Sequence, residues 1–218
     1  MDTARSRALM YEAFAAALLD APSPASTERM RLIAERLGVP SAAGSGSADD
    51  GERRFSERFL VASSPLYLPA TESHLRDAVC EEDGSWKLAP SDGRHMTHVV
   101  RCYRQLGFEF RKLRGSQALV QSARPDHVAF EVAFVASVLL GAAQAAERGE
   151  GHHAKAAQAF ADAFVEEHLA RWAARLAAFA EKTAYDYYAM VLAALAHWVE
   201  VDAADSPETC LTEEAGAV

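Results

Sequence analysis

The stretch of residues 125–148, PDHVAFEVAFVASVLLGAAQAAER, decides the fold class. It is long, apolar and rich in alanine, and glycines at 149 and 151 follow it. Pro125 suits the first turn of a helix, where its missing N–H is harmless. Asp126 suits the positive end of the helix dipole. We therefore predict one long helix that begins at Arg124-Pro125 and ends near Arg148.

Apolar spacing on both sides of this stretch predicts further helices. They are expected over residues 3–19, before Gly38, around Phe59, and over 71–80, 93–110 and 153–182, with a last helix after Thr183. The spacing of Thr183 to Asp186 resembles a capping box. Residues 81–92 are expected as a loop, and no run of alternating β-branched residues indicates a strand. The chain is predicted to be all-α, a single-domain helical bundle over residues 1–200.

Two segments are expected to be loosely structured. Residues 41–51, SAAGSGSADDG, have the composition of a flexible loop or linker. Residues 201–218 are expected to form an acidic, disordered tail, because six acids and no Lys or Arg lie from Glu200 to the end. The net charge is −9, of which the rest of the chain carries only −3. Without a basic stripe, nucleic acid is not an expected partner.

The cysteines and the hydropathy indicate a protein of the cytoplasm. Cys80, Cys102 and Cys210 are an odd number, far apart, with no Cys-x-x-Cys pair. This pattern is not a disulfide framework and fits a reducing compartment. No stretch of the sequence is expected to supply the ~20 apolar residues that a membrane span needs. Stable insertion into a membrane is therefore not expected.

The sequence lacks the common signatures of nucleotide and acyl-transfer enzymes, including the P-loop, the dinucleotide fingerprint and the nucleophile elbow. His95, His98 and Cys102 are spaced to share one helix face, and imidazole and thiolate are zinc ligands. Structural zinc needs a fourth ligand, and none lies nearby in the sequence. An ordinary helix face is therefore favoured, and no metal is predicted.

A second group of polar residues lies at the start of the long helix. Glu131 is one turn after His127, so that a carboxylate and an imidazole share a face. With Asp126 they could act as a general acid/base pair or anchor a basic peptide, or Asp126 could simply complement the dipole. His168 and Trp172 lie one turn apart on a later helix, where such residues usually belong to the core.

These segments together resemble the TorD/DmsD/NarJ family of redox-enzyme maturation chaperones. The resemblance rests on three motifs in order. They are Pro65-Leu-Tyr67-Leu-Pro69-Ala-Thr-Glu72-Ser73, then Pro125-Asp126-His127 with Glu131 and Phe134, and then Phe164-x-x-x-His168-Leu169-x-x-Trp172 before a tyrosine-rich last helix. The match covers roughly residues 55 to 197.

The resemblance implies a non-enzymatic, system-specific chaperone without a cofactor of its own. It would bind the twin-arginine leader and/or the apo catalytic subunit of a molybdopterin oxidoreductase, and hold it for cofactor insertion before assembly or export. The client carries the molybdopterin, and no motif encodes a guanine-nucleotide site. The implied client-binding residues are Tyr67, Pro69, Glu72, Ser73, Pro125, Asp126, His127, Glu131, His168 and Trp172.

Within this set, Asp126, Glu131 and Glu72 are the expected acceptors for paired arginines. An apolar groove for the leader's hydrophobic stretch is expected along Tyr67, Leu68 and Trp172. Two other functions remain open from the residues alone. One is a small-ligand-binding or regulatory helical domain. The other is a metal-dependent hydrolase that uses Asp126, His127, Glu131 and His168.

Overall fold

The computed structural model describes residues 3–42, 48–83, 85–90 and 93–204, and this part of the chain is predominantly helical, as predicted. The helices are α1 (Thr3–Leu19), α2 (Pro24–Arg36), α3 (Ala48–Phe59), α4 (Glu72–Leu75), α5 (Arg94–Gln105), α6 (Gln117–Ser122), α7 (Val128–Glu147), α8 (Gly151–Phe164), α9 (Ala170–Thr183) and α10 (Tyr187–Ala204). A 3₁₀ turn (Phe110–Lys112) precedes α6, and a π-helical turn (Val165–Leu169) joins α8 to α9.

Helix α7 is the central element of the bundle. It packs against α1 on one side and α8 on the other, while α10 packs against α9 and α2. Contrary to the expectation from sequence, α7 is long and apolar enough to cross a membrane. Most of its length is buried inside the protein, because neighbouring helices cover it. Its composition is therefore that of a core helix.

The start of α7 differs from the prediction. The helix begins at Val128, and Pro125 and Asp126 lie before it rather than in its first turn. His127 is the N-cap, and its Nδ1 accepts a hydrogen bond from the Ala129 N–H at 3.2 Å. Pro125 and Asp126 form a turn, and the backbone of His127 is extended because it pairs with Thr71 just before α4. Asp126 C=O accepts from Glu72 N–H, and Val128 N–H donates to the Ala70 carbonyl. This tertiary pairing overrides the helical preference of the local sequence.

The region predicted as a helix over 71–80 and a loop over 81–92 is also different. Helix α4 has only four residues. After it, β1 (Val79–Cys80) and β2 (Trp86–Lys87) form a short antiparallel hairpin, with Val79 opposite Lys87 and Cys80 opposite Trp86. The Trp86 ring packs on Phe179 of α9, with centroids 5.8 Å apart. The hairpin thus depends on a contact that is distant in sequence, and no local pattern indicated it.

Two predicted helix ends are shifted. The helix predicted over 93–110 ends at Gln105, because Gly107 has a positive φ of 66° and reverses the chain. Asp186, rather than Thr183, caps α10: its carboxylate accepts from the N–H groups of Tyr188 and Ala189, both at 3.1 Å. The Thr183 hydroxyl instead donates to the Ala180 carbonyl at the end of α9.

The two segments expected to be loosely structured are in part helical. Residues 48–51 belong to α3, and 201–204 complete α10. Asp202 is buried there because it pairs with Arg7 of α1 at 2.6 Å and accepts from the Tyr11 hydroxyl at 2.8 Å. The remainder of the two predictions, residues 43–47 and 205–218, lies outside the described residues.

Candidate functional site

Three fully buried carboxyl groups meet beside the N-terminal end of α7. Glu72 comes from α4, Asp126 from the turn before α7, and Glu131 from the first turn of α7. We call these three residues the carboxylate cluster. Burial of a carboxyl group is unfavourable unless it is hydrogen-bonded or paired with a cation. The partners of each group therefore indicate what the cluster can do.

Asp126 is held by backbone and side-chain donors. One of its oxygens accepts from the Ser73 N–H at 3.0 Å and from the Ser73 hydroxyl. The other oxygen accepts from Arg124 Nε at 3.3 Å. These bonds connect α4 to the turn before α7. Asp126 therefore fixes the position of one segment against the other.

Glu72 is linked through hydrogen bonds to two further elements, the π-helical turn and α5. One oxygen accepts from Arg76 at 2.6 Å, and the other lies 2.7 Å from Nδ1 of His168 in the π-helical turn. On the opposite side of the same imidazole, His168 Nε2 is 2.8 Å from Nδ1 of His98 on α5. A chain of hydrogen bonds therefore runs from the buried carboxylate to a half-buried histidine at the surface.

Glu131 is the least satisfied member of the cluster. One oxygen accepts from the Trp172 indole N–H at 3.2 Å, while the other has no hydrogen-bond partner among the described residues. Burial raises the pKa of Glu131 well above its usual value, and the nearby Glu72 and Asp126 raise it further. Burial and the two neighbouring acids therefore favour the protonated form of Glu131.

His127 is also held in its neutral form. Complete burial lowers the pKa of His127 to about 4, against a small opposing effect of Asp126. Its ring lies between Phe59 and Phe130, with centroids 5.8 and 5.6 Å away. Since neutral Nδ1 is an acceptor, the ring can cap α7 only while it stays uncharged.

The structure brings together seven of the ten residues that the sequence singled out. These are Glu72, Ser73, Asp126, His127, Glu131, His168 and Trp172, and all of them are buried. Pro69 is buried in the segment before α4, whereas Tyr67 and Pro125 are half-buried. The cluster thus joins the three motifs of the resemblance in one place.

The buried positions correct two expectations. The three acids present no exposed oxygen to a pair of client arginines, because their partners lie within the protein. Leu68 and Trp172 are each only 1% exposed, so they do not line an open groove with Tyr67. Both residues are required to fill the core, and this leaves them unavailable at the surface.

Several residues at the site were not predicted. Arg76 and Arg124 cover the cluster at its rim, with side chains 24% and 34% exposed. Arg76 is four residues after Glu72, a spacing that could have indicated the ion pair had the segment been treated as a helical turn. His98 was considered only with residues of its own helix. Nothing in the sequence indicated its contact with His168.

A second buried polar group, the Arg58 network, holds the segment that leads to α4. Arg58 is completely buried, and its guanidinium donates to Asp186, to the Thr183 hydroxyl and to the Ala184 carbonyl. It also donates to the carbonyl of Leu66 at 3.2 Å. This one side chain therefore ties the 64–70 turn to the junction of α9 and α10.

An open apolar surface lies beside α7, away from the Arg58 network. It consists of two hollows of about 450 and 510 Å³, which share Leu113 and Ser137. We call their combined surface the α7 groove. Its lining includes Leu9, Leu19, Ala133, Ala136 and Leu140 on the α1 side, and Leu106, Phe108, Val138 and Gly141 on the other side.

One wall of the groove is fixed by a close backbone approach. Gly115 has a φ of 146°, and a Cβ at this position would come within 2.6 Å of the Leu19 carbonyl oxygen. Next to it, Ser116 N–H donates to the same oxygen at 2.8 Å. Glycine is therefore required where the loop containing Leu113 is fastened to the end of α1.

The fold and the cluster define an all-helical bundle protein whose N-terminal and C-terminal halves are joined by buried polar contacts. The chain matches the family model described as nitrate reductase delta subunit over residues 19–178. It belongs to this family of NarJ/TorD-type chaperones, and at family level it is a molybdoenzyme maturation chaperone. No curated protein and no solved structure gives a significant match.

Proposed function

We propose that the chain binds the leader peptide and/or the apo catalytic subunit of a molybdopterin-dependent oxidoreductase in the cytoplasm. It holds this client until the cofactor is inserted, before assembly or twin-arginine export. The observation that carries the proposal beyond the family is the α7 groove, an open apolar surface next to the central helix.

The groove has the shape and chemistry for a hydrophobic peptide segment. Small residues form much of its floor, including Ala133, Ala136 and Gly141. Leu9, Leu106 and Leu140 are large apolar side chains that are 58%, 47% and 39% exposed. A client helix with apolar residues at every third or fourth position would bury these leucines.

Charged residues at the groove contribute selectivity. They are of both signs: Glu12, Arg5 and Arg114 line the α1 side, and Glu109 and Lys112 line the other side. Glu12 is exposed and can pair with an arginine of the client, while the two arginines can pair with client acids. Exposed ion pairs contribute only ~0–1 kcal/mol, so the apolar contact supplies most of the affinity. A chaperone must also release its client, which suits micromolar binding, or about −8 kcal/mol.

The carboxylate cluster supports this function indirectly in our proposal. Its bonds hold α4 and the turn before α7 in place, and this turn carries the half-buried Pro125. The half-buried Tyr67 lies in the segment that leads to α4, which the Arg58 network holds. Those two side chains remain able to contact the body of a client. The buried members of the predicted site maintain the shape of the surface.

The test is affinity capture of the tagged chain from its native cytoplasm under anaerobic growth with molybdate, with mass spectrometry of the bound proteins. An unprocessed molybdopterin oxidoreductase subunit is the expected product. Binding of a labelled N-terminal peptide of that subunit is then measured by fluorescence anisotropy. Leu106→Glu should lower the affinity by about 10-fold or more, since burial of one leucine contributes ~1.5–3 kcal/mol.

Leu32→Glu is the matched control, because Leu32 of α2 is also 47% exposed and does not line the groove. It should bind the peptide as the unmodified chain does. Equal binding by all three proteins would show that the groove is not the docking surface, while the client class would stand. Failure to capture any molybdopterin oxidoreductase subunit would contradict the proposed client itself.

A further inference from the structure

Two histidines and a cysteine from distant parts of the chain converge beside the carboxylate cluster. His98 and Cys102 lie one turn apart on α5, and His168 lies on the π-helical turn. One nitrogen or sulfur atom from each residue lies within 4.8 Å of those of the other two. The earlier trio of His95, His98 and Cys102 is not the group that forms, because His95 turns toward Asp77 at 3.3 Å.

The π-helical turn is what brings the third ligand into place. π-Helical turns are rare and are frequent at functional sites, because they change the direction in which neighbouring side chains project. Here the turn directs His168 into the interior and leaves Glu167 on the exposed side. Glu167 Oε2 is 3.8 Å from His98 Nδ1, so an exposed carboxylate lies next to one of the three ligands.

The contacts of His168 match those of a metal-bound histidine. Its Nδ1 is hydrogen-bonded to the buried Glu72 carboxylate at 2.7 Å. A carboxylate accepts this bond, so Nδ1 carries the proton, and the lone pair of Nε2 points toward His98 and Cys102. Metal-binding histidines almost always have such a partner, which fixes the tautomer and orients the ring. Arg76 holds the second oxygen of Glu72 at 2.6 Å and keeps it in position.

We propose that His98 Nδ1, Cys102 Sγ and His168 Nε2, with Glu167 as the fourth ligand, bind a divalent cation of the zinc class. Two imidazoles, a thiolate and a carboxylate are a donor set that zinc accepts in tetrahedral geometry. This site is additional to client binding. It would join α5 to the turn between α8 and α9.

The distances require only a small adjustment. Bonds of ~2.0–2.1 Å from zinc to nitrogen place two tetrahedral nitrogens about 3.3 Å apart, and the two imidazole nitrogens are now 2.8 Å apart. The His98 side chain is 30% exposed and can move outward. An open cavity of about 240 Å³ borders His98, Cys102 and Glu167 and gives an ion access.

Cys102 is buried and is not in a disulfide, so its sulfur is free to bind an ion. A zinc ion displaces the thiol proton to solvent as the sulfur–zinc bond forms. His98 keeps one ring proton, on Nε2, when Nδ1 becomes a ligand. Arg101 also lines the cavity, and because it is exposed its charge is screened by water.

The test uses the full chain, stripped with a chelator, dialysed and then titrated with Zn²⁺ against a competing chromophoric chelator. The expected result is one zinc per chain. His98→Ala and Cys102→Ser should each weaken zinc binding by more than ~10–100-fold, the loss that is typical when a residue hydrogen-bonded to a ligand is substituted. Co²⁺ in place of zinc should give a thiolate charge-transfer band with the unmodified chain that is absent from Cys102→Ser.

Two matched variants separate this site from other metal-binding groups. His95→Ala removes a histidine on the same helix, and Cys80→Ser removes an exposed cysteine. Both should retain the stoichiometry, the affinity and the cobalt band. The proposal is overturned if the unmodified chain binds no zinc, or if these controls lose as much affinity as the ligand variants. His98→Ala changes a partly exposed side chain, so it still tests the site if Cys102→Ser does not fold.

Discussion

The Arg58 network and the carboxylate cluster are both buried and polar, but they differ in how completely their groups are paired. Arg58 directs its donors to Asp186, to the Thr183 hydroxyl and to backbone carbonyls. In the cluster three acids share two half-exposed arginines, and one oxygen of Glu131 has no partner among the described residues. The first group is balanced in charge, and the second carries excess acid.

This difference in pairing predicts different responses of the two groups to substitution and to pH. A balanced buried ion pair contributes to a unique packing, and removal of one partner is strongly destabilising. Excess acid instead favours protonation, as with Glu131, whose pKa is raised by burial and by the neighbouring acids. Ionisable groups that have shifted pKa values and incomplete hydrogen bonding are concentrated at functional sites. Glu131, with its raised pKa and its unpartnered oxygen among the described residues, has this character.

The largest expected effect comes from breaking the balanced group. Arg58→Ala removes every bond of the network and leaves the largely buried Asp186 without its main partner. We expect the free energy of unfolding to fall by about 3–5 kcal/mol. Urea denaturation followed by circular dichroism measures this change, and the midpoint should shift without a change in slope.

Arg54→Ala is the control for this prediction. Arg54 lies one turn before Arg58 and contacts the same Asp186 carboxylate at 3.5 Å, but its side chain is 31% exposed. Its loss should lower the free energy of unfolding by less than about 1 kcal/mol, as for other exposed pairs. Similar losses for the two variants would show that burial does not distinguish Arg58.

The next largest expected effect is the loss of stability in acid that is due to His127, beside the cluster. The pKa of His127 is lowered to about 4 by burial, whereas an unfolded histidine titrates near ~6.5. Between these values the unfolded state binds the extra proton, so stability falls as the pH falls. The difference corresponds to about 3 kcal/mol lost from pH 6.5 to 4. His127→Asn preserves a good N-cap and should lack this part of the acid sensitivity.

Urea unfolding at a series of pH values compares the two proteins. His153→Asn is the control, since His153 is 77% exposed on α8. Its acid sensitivity should equal that of the unmodified chain. If His127→Asn were equally acid-sensitive, the environment of His127 would have to be wetter than its burial indicates, and the contrast between the two polar groups would weaken.

The sequence was sufficient for the long helices because their patterns are local. The helix predicted over 153–182 corresponds to α8, the π-helical turn and α9, and the long apolar stretch corresponds to α7. The errors lie where distant segments pair. The start of α7 depends on the segment before α4, and the hairpin depends on Phe179. Local spacing contains no information about either contact.

The sequence singled out residues that the structure brings together, but it did not indicate that most of them are buried. The three motifs of the family resemblance contain the residues that meet, including Glu72, Asp126 and His168. A carboxylate faces the interior or the solvent according to how distant elements such as α9 pack around it. The spacing between residues in one segment contains no information about that packing. For the same reason His98 was grouped with His95 on its own helix instead of with His168 on another.

The smallest expected effect is the dependence of stability on pH that is due to Glu131. Burial raises the pKa of Glu131 in the folded state, so the folded protein binds a proton that the unfolded chain releases above pH ~4.5. This contribution to stability is complete below that pH and is lost as the pH rises through the folded-state pKa, by at most ~1.4 kcal/mol per pH unit. Glu131→Gln resembles the neutral acid and retains an acceptor for Trp172, so it should be less destabilised at alkaline pH.

Glu147→Gln is the control, because Glu147 is exposed at the other end of α7, and it should leave the pH dependence unchanged. If Glu131→Gln instead reproduced the unmodified profile, burial would not raise the pKa of Glu131, and the contrast with the Arg58 network would weaken.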